Sequence, residues 1–254
     1  MSEKHVSGTK EWAIHNVNCC SGCSNNCRYC YAKGMAVRFK RMTAEEWPDE
    51  RIRLHDVERD YRKFDGRVMF PSSHDITPGN IEACLTVLGK LLAAGNEVLI
   101  VSKPQFECIQ VICDRFKEYL PQILFRFTIG AKNDEILSFW EPGAPSYKER
   151  LSSLLWAFHE GFNTSVSIEP MLDAENVVDL VHDLDYRVTD SIWIGKMNHI
   201  RKNIIIDSDE VAEAIHRIEQ GQTDDKIRDI YNALKDHPLI KWKGGIKKII
   251  DPKD

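Results

Sequence analysis

Residues 81–103 read IEACLTVLGKLLAAGNEVLIVSK, a helical pattern followed by a turn and a short apolar run. Apolar residues recur at the spacing of one helix face at Ile81, Leu85, Leu88 and Leu92. Gly95-Asn96 is a turn signal, and the β-rich run at 98–101 is typical of a strand buried on both faces. This stretch therefore predicts a helix followed by a strand of a parallel sheet.

The same alternation extends in both directions from this stretch. Further β-rich runs lie at 68–70, 125–129, 165–168 and 192–194, and further helical patterns at 151–158 and 177–184. Counting 12–17 as a first strand gives six βα units, whereas a closed barrel of eight units takes about 250 residues without an arm or a tail. We therefore predict the α/β class, with a partial (β/α)6 open TIM-like barrel, an N-terminal arm and a short helical C-terminal extension.

Two ranges organise the predicted chain. Residues 1–206 should form the partial barrel, including a cysteine-bearing loop within 19–31, and residues 207–254 a helical extension packed on it. The charged stretch at 36–62 is predicted to be helical, and the run at 240–245 is predicted to be an edge strand or a lid.

Composition excludes several classes of protein. The 254 residues contain no run near the ~20 apolar residues of a membrane span, and the N-terminus MSEKH lacks the apolar stretch of a signal peptide. We therefore expect a soluble, cytoplasmic protein with no membrane partner. The formal net charge of −5 argues against extensive coating of nucleic acid, although a local basic groove is compatible with it.

Five of the eight cysteines fall within residues 19–30, and three of them follow the spacing C-x-x-x-C-x-x-C at Cys23, Cys27 and Cys30. In a reducing compartment such a group indicates metal binding rather than a disulfide framework. Three thiolates on one loop can hold three irons of a cubane and leave the fourth open to a ligand. The spacing therefore predicts a [4Fe-4S] cluster.

A zinc site is the alternative, with Cys20 added to the same three cysteines. Zinc sites usually separate their two C-x-x-C pairs by about 12–20 residues, whereas only three residues separate them here. The alternative function is a non-enzymatic zinc or iron–sulfur module that binds nucleic acid or a protein. Cys19 is interpreted as a packed thiol, and Cys20 as either a packed thiol or an accessory ligand.

The cysteine spacing, with an aromatic residue before the last cysteine and βα units behind it, resembles the radical S-adenosylmethionine (SAM) superfamily. The resemblance implies an enzyme whose open iron takes the amino and carboxylate groups of SAM. One electron from the cluster then cleaves SAM to methionine and a 5′-deoxyadenosyl radical, which abstracts hydrogen from a substrate. It also implies a flavodoxin- or ferredoxin-type electron donor as partner.

Within that superfamily, several segments between about residues 15 and 200 resemble the spore photoproduct lyase-like branch. They are CRYCY at 27–31, VSK at 101–103, Phe127-Thr128, EPGAPS at 141–146 with Glu149-Arg150-Leu151, SIEP at 167–170 and WIGKMN at 193–198. A second likeness is to phage-borne proteins of unknown function, which carry the pattern Cys-Tyr-Ala-x-x-Met-Ala-x-Arg-Phe found here at 30–39.

These resemblances imply a set of SAM-binding residues at strand ends. The set is Tyr29, Ser72, Ser73, Asp75, Lys103, Thr128, Glu169, Lys196 and Asn198. Lys103 is expected to contact the SAM carboxylate, and Glu169 a ribose hydroxyl or a substrate amine. The alternatives are a helix-capping role for Ser73 or Asp75 and a structural ion pair for Glu169. Tyr31 is the candidate catalytic residue, with stacking beside the cluster as its alternative.

The substrate is not determined by the sequence. The lyase has a cysteine near the end of its second strand, whereas this chain has FPSSHD at 70–75. The absence of a further cysteine-rich region slightly favours a nucleotide or small molecule over a peptide, and a DNA or RNA lesion lyase or modification enzyme is an alternative. Four lysines between 241 and 248 predict a solvated basic face, with nucleic-acid contact through Trp242 as the second interpretation.

Overall fold

The computed structural model describes residues 8–251, and its centre is a seven-stranded, wholly parallel sheet with the order β1-β4-β5-β6-β7-β8-β9. The two remaining strands, β2 and β3, pair with each other in an antiparallel ribbon. The strands are β1 (His15–Asn16), β2 (Cys20–Ser21), β3 (Arg51–Ile52), β4 (Val68–Phe70), β5 (Val98–Ser102), β6 (Ile123–Thr128), β7 (Asn163–Ile168), β8 (Ile192–Ile194) and β9 (Ile240–Trp242).

Helices connect successive strands of the sheet. They are α1 (Tyr31–Arg38), α2 (Leu54–Glu58), α3 (Ile81–Ala93), α4 (Phe106–Arg115), α5 (Asp134–Trp140), α6 (Tyr147–His159), α7 (Val177–Leu184), α8 (Ile200–Asn203), α9 (Asp209–Gly221), α10 (Asp224–Leu234) and α11 (Gly244–Ile250). Short 3-10 helices lie at Gly8–Glu11, Lys117–Gln122 and Asp185–Arg187.

The core lies between the strands and the helices that cover them. The helix predicted from residues 81–92 is α3, and its Leu85, Leu88 and Leu92 are buried in the main apolar cluster together with β5 residues such as Val98 and Ile100. Burial of this apolar surface is the principal force that holds each helix on the sheet. The predicted parallel α/β architecture is confirmed, and in the described residues β1 and β9 lie at opposite ends of the strand order, so the barrel is open.

The run at 240–245, predicted to be an edge strand or a lid, contains the edge strand β9, which pairs with β8 and extends the sheet beyond the six predicted units. One expectation from the sequence needs correction. The stretch at 36–62 is not one helix, because α1 ends at Arg38 and the following segment folds around the cysteines as turns, β3 and α2. Its turns are tied to other segments; Trp47, for example, is buried and accepts a hydrogen bond from Cys23 N.

The division into residues 1–206 and 207–254 stays a prediction, although the second range contributes β9 to the sheet. Over residues 8–251, no helix has the length and apolar character needed to cross a bilayer. Because all seven strands are parallel, their carboxyl ends meet along one side, which we call the carboxyl edge. The candidate site lies there.

Candidate active site

Residues 22–30, which we call the cysteine loop, lead from β2 to α1 and are held from two sides. Gly22 has a φ of +87°, and a Cβ there would lie 2.3 Å from Asp49 O, so the close approach requires glycine. On the other side, Gly143 N donates to Asn25 O at 3.1 Å and Arg28 N donates to Trp140 O at 2.9 Å. The loop conformation is therefore set by segments distant in sequence.

The three predicted metal ligands lie on this loop in different environments. Cys23 and Cys27 are buried, whereas Cys30 is half-buried and its Sγ accepts from Lys33 N at 3.4 Å, capping α1. Burial raises the pKa of all three thiols, in the case of Cys27 to about 12. Thiols in this setting ionise when a cation compensates the buried charge, so a donor set of three cysteines on one loop fits an iron–sulfur cluster.

The zinc alternative requires four sulfurs gathered around one ion. Bonds of about 2.3 Å in a tetrahedron place neighbouring sulfurs about 3.8 Å apart. Within residues 8–251, the one group of three or more metal-binding side chains whose ligand atoms all lie within 4.8 Å contains no cysteine. The cysteine loop thus does not present a preformed site for a single zinc ion.

Asp75 and Lys103 form the centre of the polar network beside these thiols. Asp75 Oδ2 lies 3.4 Å from Lys103 Nζ and accepts from Asn25 Nδ2 at 2.9 Å. Its Oδ1 accepts from Lys103 N at 2.8 Å and from Ser102 Oγ at 3.2 Å. Asp75 N donates to Cys23 Sγ at 3.4 Å. The pair therefore joins the ends of β4 and β5 to the cysteine loop.

This network favours the charged forms of both partners. Burial disfavours the Asp75 carboxylate, but Lys103 and the hydrogen-bond donors outweigh it and hold the pKa of Asp75 below its usual value. Burial likewise disfavours the Lys103 ammonium, and the surrounding negative groups, Asp75 first, raise its pKa well above the usual value. Asp75 does not cap a helix here, because Asn80 is the residue that precedes α3 and the Asp75 carboxylate accepts from Asn25, Ser102 and Lys103 instead.

A second network begins at Tyr29, within the cysteine loop. Tyr29 donates to Glu141, which forms a fully buried ion pair with Arg150 at 2.5 Å. Arg150 Nη1 in turn donates to Thr128 O at 3.2 Å. Lys103 Nζ lies 5.8 Å from the centroid of the Tyr29 ring, which connects the two networks.

Tyr31, Ser72 and Ser73 form the outer border of the site. Asn18 Oδ1 accepts from the backbone of Ser72 and Ser73 at 2.7 and 2.8 Å, and Asn18 Nδ2 donates to Ser72 Oγ at 3.0 Å. Tyr31, half exposed at the start of α1, donates to Ser72 O. His74 is buried, accepting from Cys19 N at 3.3 Å and contacting Asp75 O at 3.0 Å, which is a structural role.

Glu169 lies in a separate group at the end of β7. Its Oε2 is 3.3 Å from Lys243 Nζ, which also lies 3.2 Å from Glu11 Oε1 and donates to Gly8 O at 2.7 Å. Burial raises the pKa of Glu169 despite its pairing with Lys243, and Glu11 adds to the effect. The ion-pair alternative is therefore observed, and Lys243, 2% exposed, does not belong to a solvated basic face.

Lys196 and Asn198 follow β8 at the same edge. Asn198 is exposed, and its Nδ2 donates to Lys196 O at 3.3 Å. Both residues line an open cavity of about 520 Å³ together with α8. The structure thus places them at the predicted edge, at the end of the strand beside the one that leads to Glu169.

Sequence reasoning missed five residues of these networks: Asn18, Asn25, Glu141, Arg150 and Lys243. Asn25 lies inside the cysteine motif, and Glu141 and Arg150 lie inside segments with the lyase-like pattern. These motifs could have identified all three as candidate site residues. The partners of Asn18, Asn25 and Glu141 could not be read from the sequence, because Asn18–Ser72, Asn25–Asp75 and Tyr29–Glu141 each join positions at least 50 residues apart.

Comparisons with known proteins bear on the fold. No protein-family model matches the chain, and no curated protein matches its sequence. A variant of spore photoproduct lyase with bound AdoMet and dinucleoside spore photoproduct has a TM-score of 0.61 at 14% identity, covering 94% of this chain and 78% of that one. SuiB of Streptococcus suis has a TM-score of 0.50 at 7% identity, covering 73% of this chain and 41% of that one.

The match to the lyase spans nearly the whole chain. The match to SuiB spans about two fifths of that larger protein. The chain therefore has the fold of spore photoproduct lyase, which confirms at the level of the fold the likeness predicted from its sequence.

Proposed function

We propose that this protein is a radical SAM enzyme that uses a [4Fe-4S] cluster held by Cys23, Cys27 and Cys30. The observation that carries the proposal is the position of these thiols on one loop at the carboxyl edge of a lyase-like sheet, beside the buried Asp75–Lys103 pair. When bound, the cluster supplies the electron for reductive cleavage of SAM and so makes hydrogen abstraction from an unactivated C–H bond accessible.

Lys103 and Asp75 are proposed to bind opposite charges of SAM. The Lys103 ammonium is assigned to the SAM carboxylate and the Asp75 carboxylate to its amino group, because both protein groups are buried and charged. At the border of the site, Ser72 and Ser73 are proposed to orient the methionine part of SAM. Tyr31 is proposed to face the substrate. Burial of the pair keeps water from the reacting groups.

The remaining predicted SAM contacts are proposals of the same kind. They are Tyr29, Thr128, Glu169, Lys196 and Asn198. Glu169 is proposed as a contact through its Oε1, since its Oε2 is paired with Lys243.

Anaerobic reconstitution tests the cluster. The wild type is expected to turn brown, bind iron and sulfide, and convert SAM to 5′-deoxyadenosine under dithionite. Cys23→Ala is expected to lose colour, iron and SAM cleavage, whereas Cys113→Ala, buried in α4 away from the loop, retains all three. A colourless protein with one equivalent of zinc would instead support the metal-module alternative.

The substrate is proposed to be a nucleotide or a small molecule. The lyase variant with the same fold has a dinucleoside spore photoproduct bound, which supports the nucleotide class. A DNA or RNA substrate is the alternative, although burial of Lys243 leaves three of the four lysines between 241 and 248 exposed, Lys241, Lys247 and Lys248. The rate of 5′-deoxyadenosine formation is measured with free nucleotides and with oligonucleotides. The class of compound that increases this rate is the substrate class.

An acidic electron donor of the flavodoxin or ferredoxin type is proposed to dock on α1. Residues 28–41 contain five basic and no acidic residues in a chain of net charge −5. Tyr31, Met35 and Phe39 are exposed on the same stretch, which begins directly after Cys30. A basic surface with exposed apolar side chains beside the cluster complements an acidic protein surface.

Charge reversal tests this partner separately from the activity. Arg38→Glu with Arg41→Glu is expected to slow SAM cleavage about tenfold when reduced flavodoxin is the donor, because steering is lost. With dithionite, a small reductant, the variant should match the wild type. Equal rates with flavodoxin would remove α1 as the docking surface and leave the enzyme assignment intact.

A further inference from the structure

Three side chains with metal-binding chemistry meet at the end of the sheet opposite the cysteine loop. His182 lies near the end of α7, Asp185 begins the 3-10 helix that follows it, and His237 lies in the turn between α10 and β9. The chain runs from this 3-10 helix to the amino end of β8, and His237 precedes β9 by three residues. The group is therefore at the amino edge of the sheet and plays no part in the site described above.

The geometry of this group is close to that of a metal centre. His237 Nε2 lies 3.1 Å from Asp185 Oδ2, and the ligand atoms of His182, Asp185 and His237 all lie within 4.8 Å of one another. Zinc bonds of about 2.0–2.2 Å in a tetrahedron place neighbouring donors about 3.3 Å apart. The first pair already has that spacing, and a rotation of the exposed His182 side chain brings the third donor to it.

The backbone holds two of these donors in place without any ion. His237 N donates to Leu234 O at 3.0 Å and Ile240 N donates to His237 O at 3.2 Å, so the turn before β9 is hydrogen-bonded on both sides of His237. Asp185 O accepts from Val188 N at 3.1 Å. His182 and Asp185 are separated by three positions across the end of α7, which places them on one face of the helix.

We propose that His182, Asp185 and His237 bind a divalent transition-metal ion of the zinc class. Two imidazoles and one carboxylate match the ligand preference of such ions and differ from the all-oxygen sets that calcium and magnesium take. Binding at His237 Nε2 moves the ring proton to Nδ1, at the cost of the 3.4 Å contact with Leu239 N. Three protein ligands leave a fourth position to water.

The ion would join α7 to the segment that delivers the last strand. β9 is three residues long and pairs with the sheet through β8 alone. A metal link between the end of α7 and the turn before β9 would stabilise this edge of the sheet, because binding to the folded state adds to its stability. The expected role is structural, since the site lies away from the carboxyl edge.

Zinc titration of the anaerobically reconstituted protein tests the proposal. Zn²⁺ binding is measured by competition with a chromophoric chelator and by the shift in Tm, in the wild type, His182→Ala and Asp185→Asn. His216→Ala, an exposed histidine on α9, is the matched control. We expect the wild type and the control to bind one more equivalent of Zn²⁺ than either variant, or to bind it at least about tenfold more tightly. The Tm of the wild type and of the control should rise when zinc is added.

His182 is exposed, so its substitution leaves the packing intact and the variant folds. Equal zinc stoichiometry, affinity and Tm shift in the wild type, His182→Ala and Asp185→Asn would overturn the proposal and leave an ordinary His237–Asp185 ion pair. Zinc held by the cysteines contributes equally to every protein compared. The result is therefore independent of whether the cysteine loop carries an iron–sulfur cluster.

Discussion

Two buried lysines at the carboxyl edge, Lys103 and Lys243, differ in the number of protein groups that their ammonium groups contact. Lys103 lies 3.4 Å from a single carboxylate, Asp75, beside three thiols and the Tyr29 ring. Lys243 contacts two carboxylates at 3.2 and 3.3 Å and a backbone carbonyl at 2.7 Å, with its ammonium 4.3 Å from the Trp12 ring centroid. The three N–H donors of Lys243 all have protein acceptors, whereas Lys103 has N–H donors available for a ligand.

The difference separates a structural lysine from a binding one. Lys243 connects the N-terminal segment to the end of β9, because Glu11 also accepts from Gly244 N at 3.2 Å. Lys103 connects neighbouring strands β4 and β5 at the cysteine loop, where a charged ligand is proposed to bind. Buried charge alone therefore does not identify a binding residue, and the number of its fixed partners does.

Lys243→Met should produce the largest change in stability. Removing the ammonium leaves the half-buried carboxylates of Glu11 and Glu169 without their shared cation, which is expected to lower the free energy of unfolding by about 3 kcal/mol. Urea unfolding measures the loss, with Lys241→Met on the exposed face of β9 as control, expected to change stability by less than about 0.5 kcal/mol. Equal stability of the two variants would contradict the structural role of Lys243.

Lys103→Ala should affect SAM binding more than folding. Asp75 keeps Asn25, Ser102 and the backbone N of residue 103 as donors, so the variant is expected to fold and to retain its iron. Loss of one charge-assisted hydrogen bond, worth ~1.5–3 kcal/mol, should weaken SAM binding about 10- to 100-fold. Equilibrium binding and uncoupled 5′-deoxyadenosine formation measure the effect.

The exposed Lys117→Ala serves as the control for that experiment. Unchanged SAM affinity in Lys103→Ala would remove Lys103 from the site. It would also weaken the assignment of Thr128 and Glu169, which rests on the same strand-end pattern.

The carboxylates of the two regions should respond oppositely to acid. The folded pKa of Asp75 is lowered, so its contribution to stability is present above the unfolded value of about 3.9 and is lost as the pH falls through the folded pKa. The folded pKa of Glu169 is raised, so protonation favours the folded state as the pH falls through that pKa, and this contribution is lost as the pH rises.

Unfolding free energies measured between pH 7 and pH 3 test this contrast. The stability difference between the wild type and Asp75→Asn should shrink as the pH falls below about 4. The corresponding difference for Glu169→Gln should grow as the pH falls. The same direction of change in both variants would show that the two carboxylates do not differ as described.

Asn198→Ala should give the smallest effect on stability. Asn198 is exposed and makes one side-chain hydrogen bond, to Lys196 O, so the free energy of unfolding should change by less than about 0.5 kcal/mol. A loss of SAM or substrate binding in this stable variant would place the end of β8 in the site. Unchanged binding would restrict the site to the half that contains Lys103.

Much of the fold and the identity of the candidate ligands follow from the sequence alone. The helix at α3 and the strand at β5 are readable because helical and strand periodicities depend on residues within a few positions of each other. The spacing of Cys23, Cys27 and Cys30 is likewise local. Three cysteines within eight residues are close in the chain, although contacts with Asp49, Trp140 and Gly143 set the conformation of the loop that carries them.

The partners of the charged side chains were decided by the tertiary structure. The sequence predicts Lys243 as part of a solvated lysine-rich face, yet β9 joins the sheet and buries it against Glu11, 232 positions away. The sequence predicts a ligand contact for Glu169 with a structural ion pair as the alternative, and the position of Lys243 after β9 shows the ion pair. Such pairings depend on which strands are adjacent and in what register, and this is determined by burial of the whole core rather than by any local pattern.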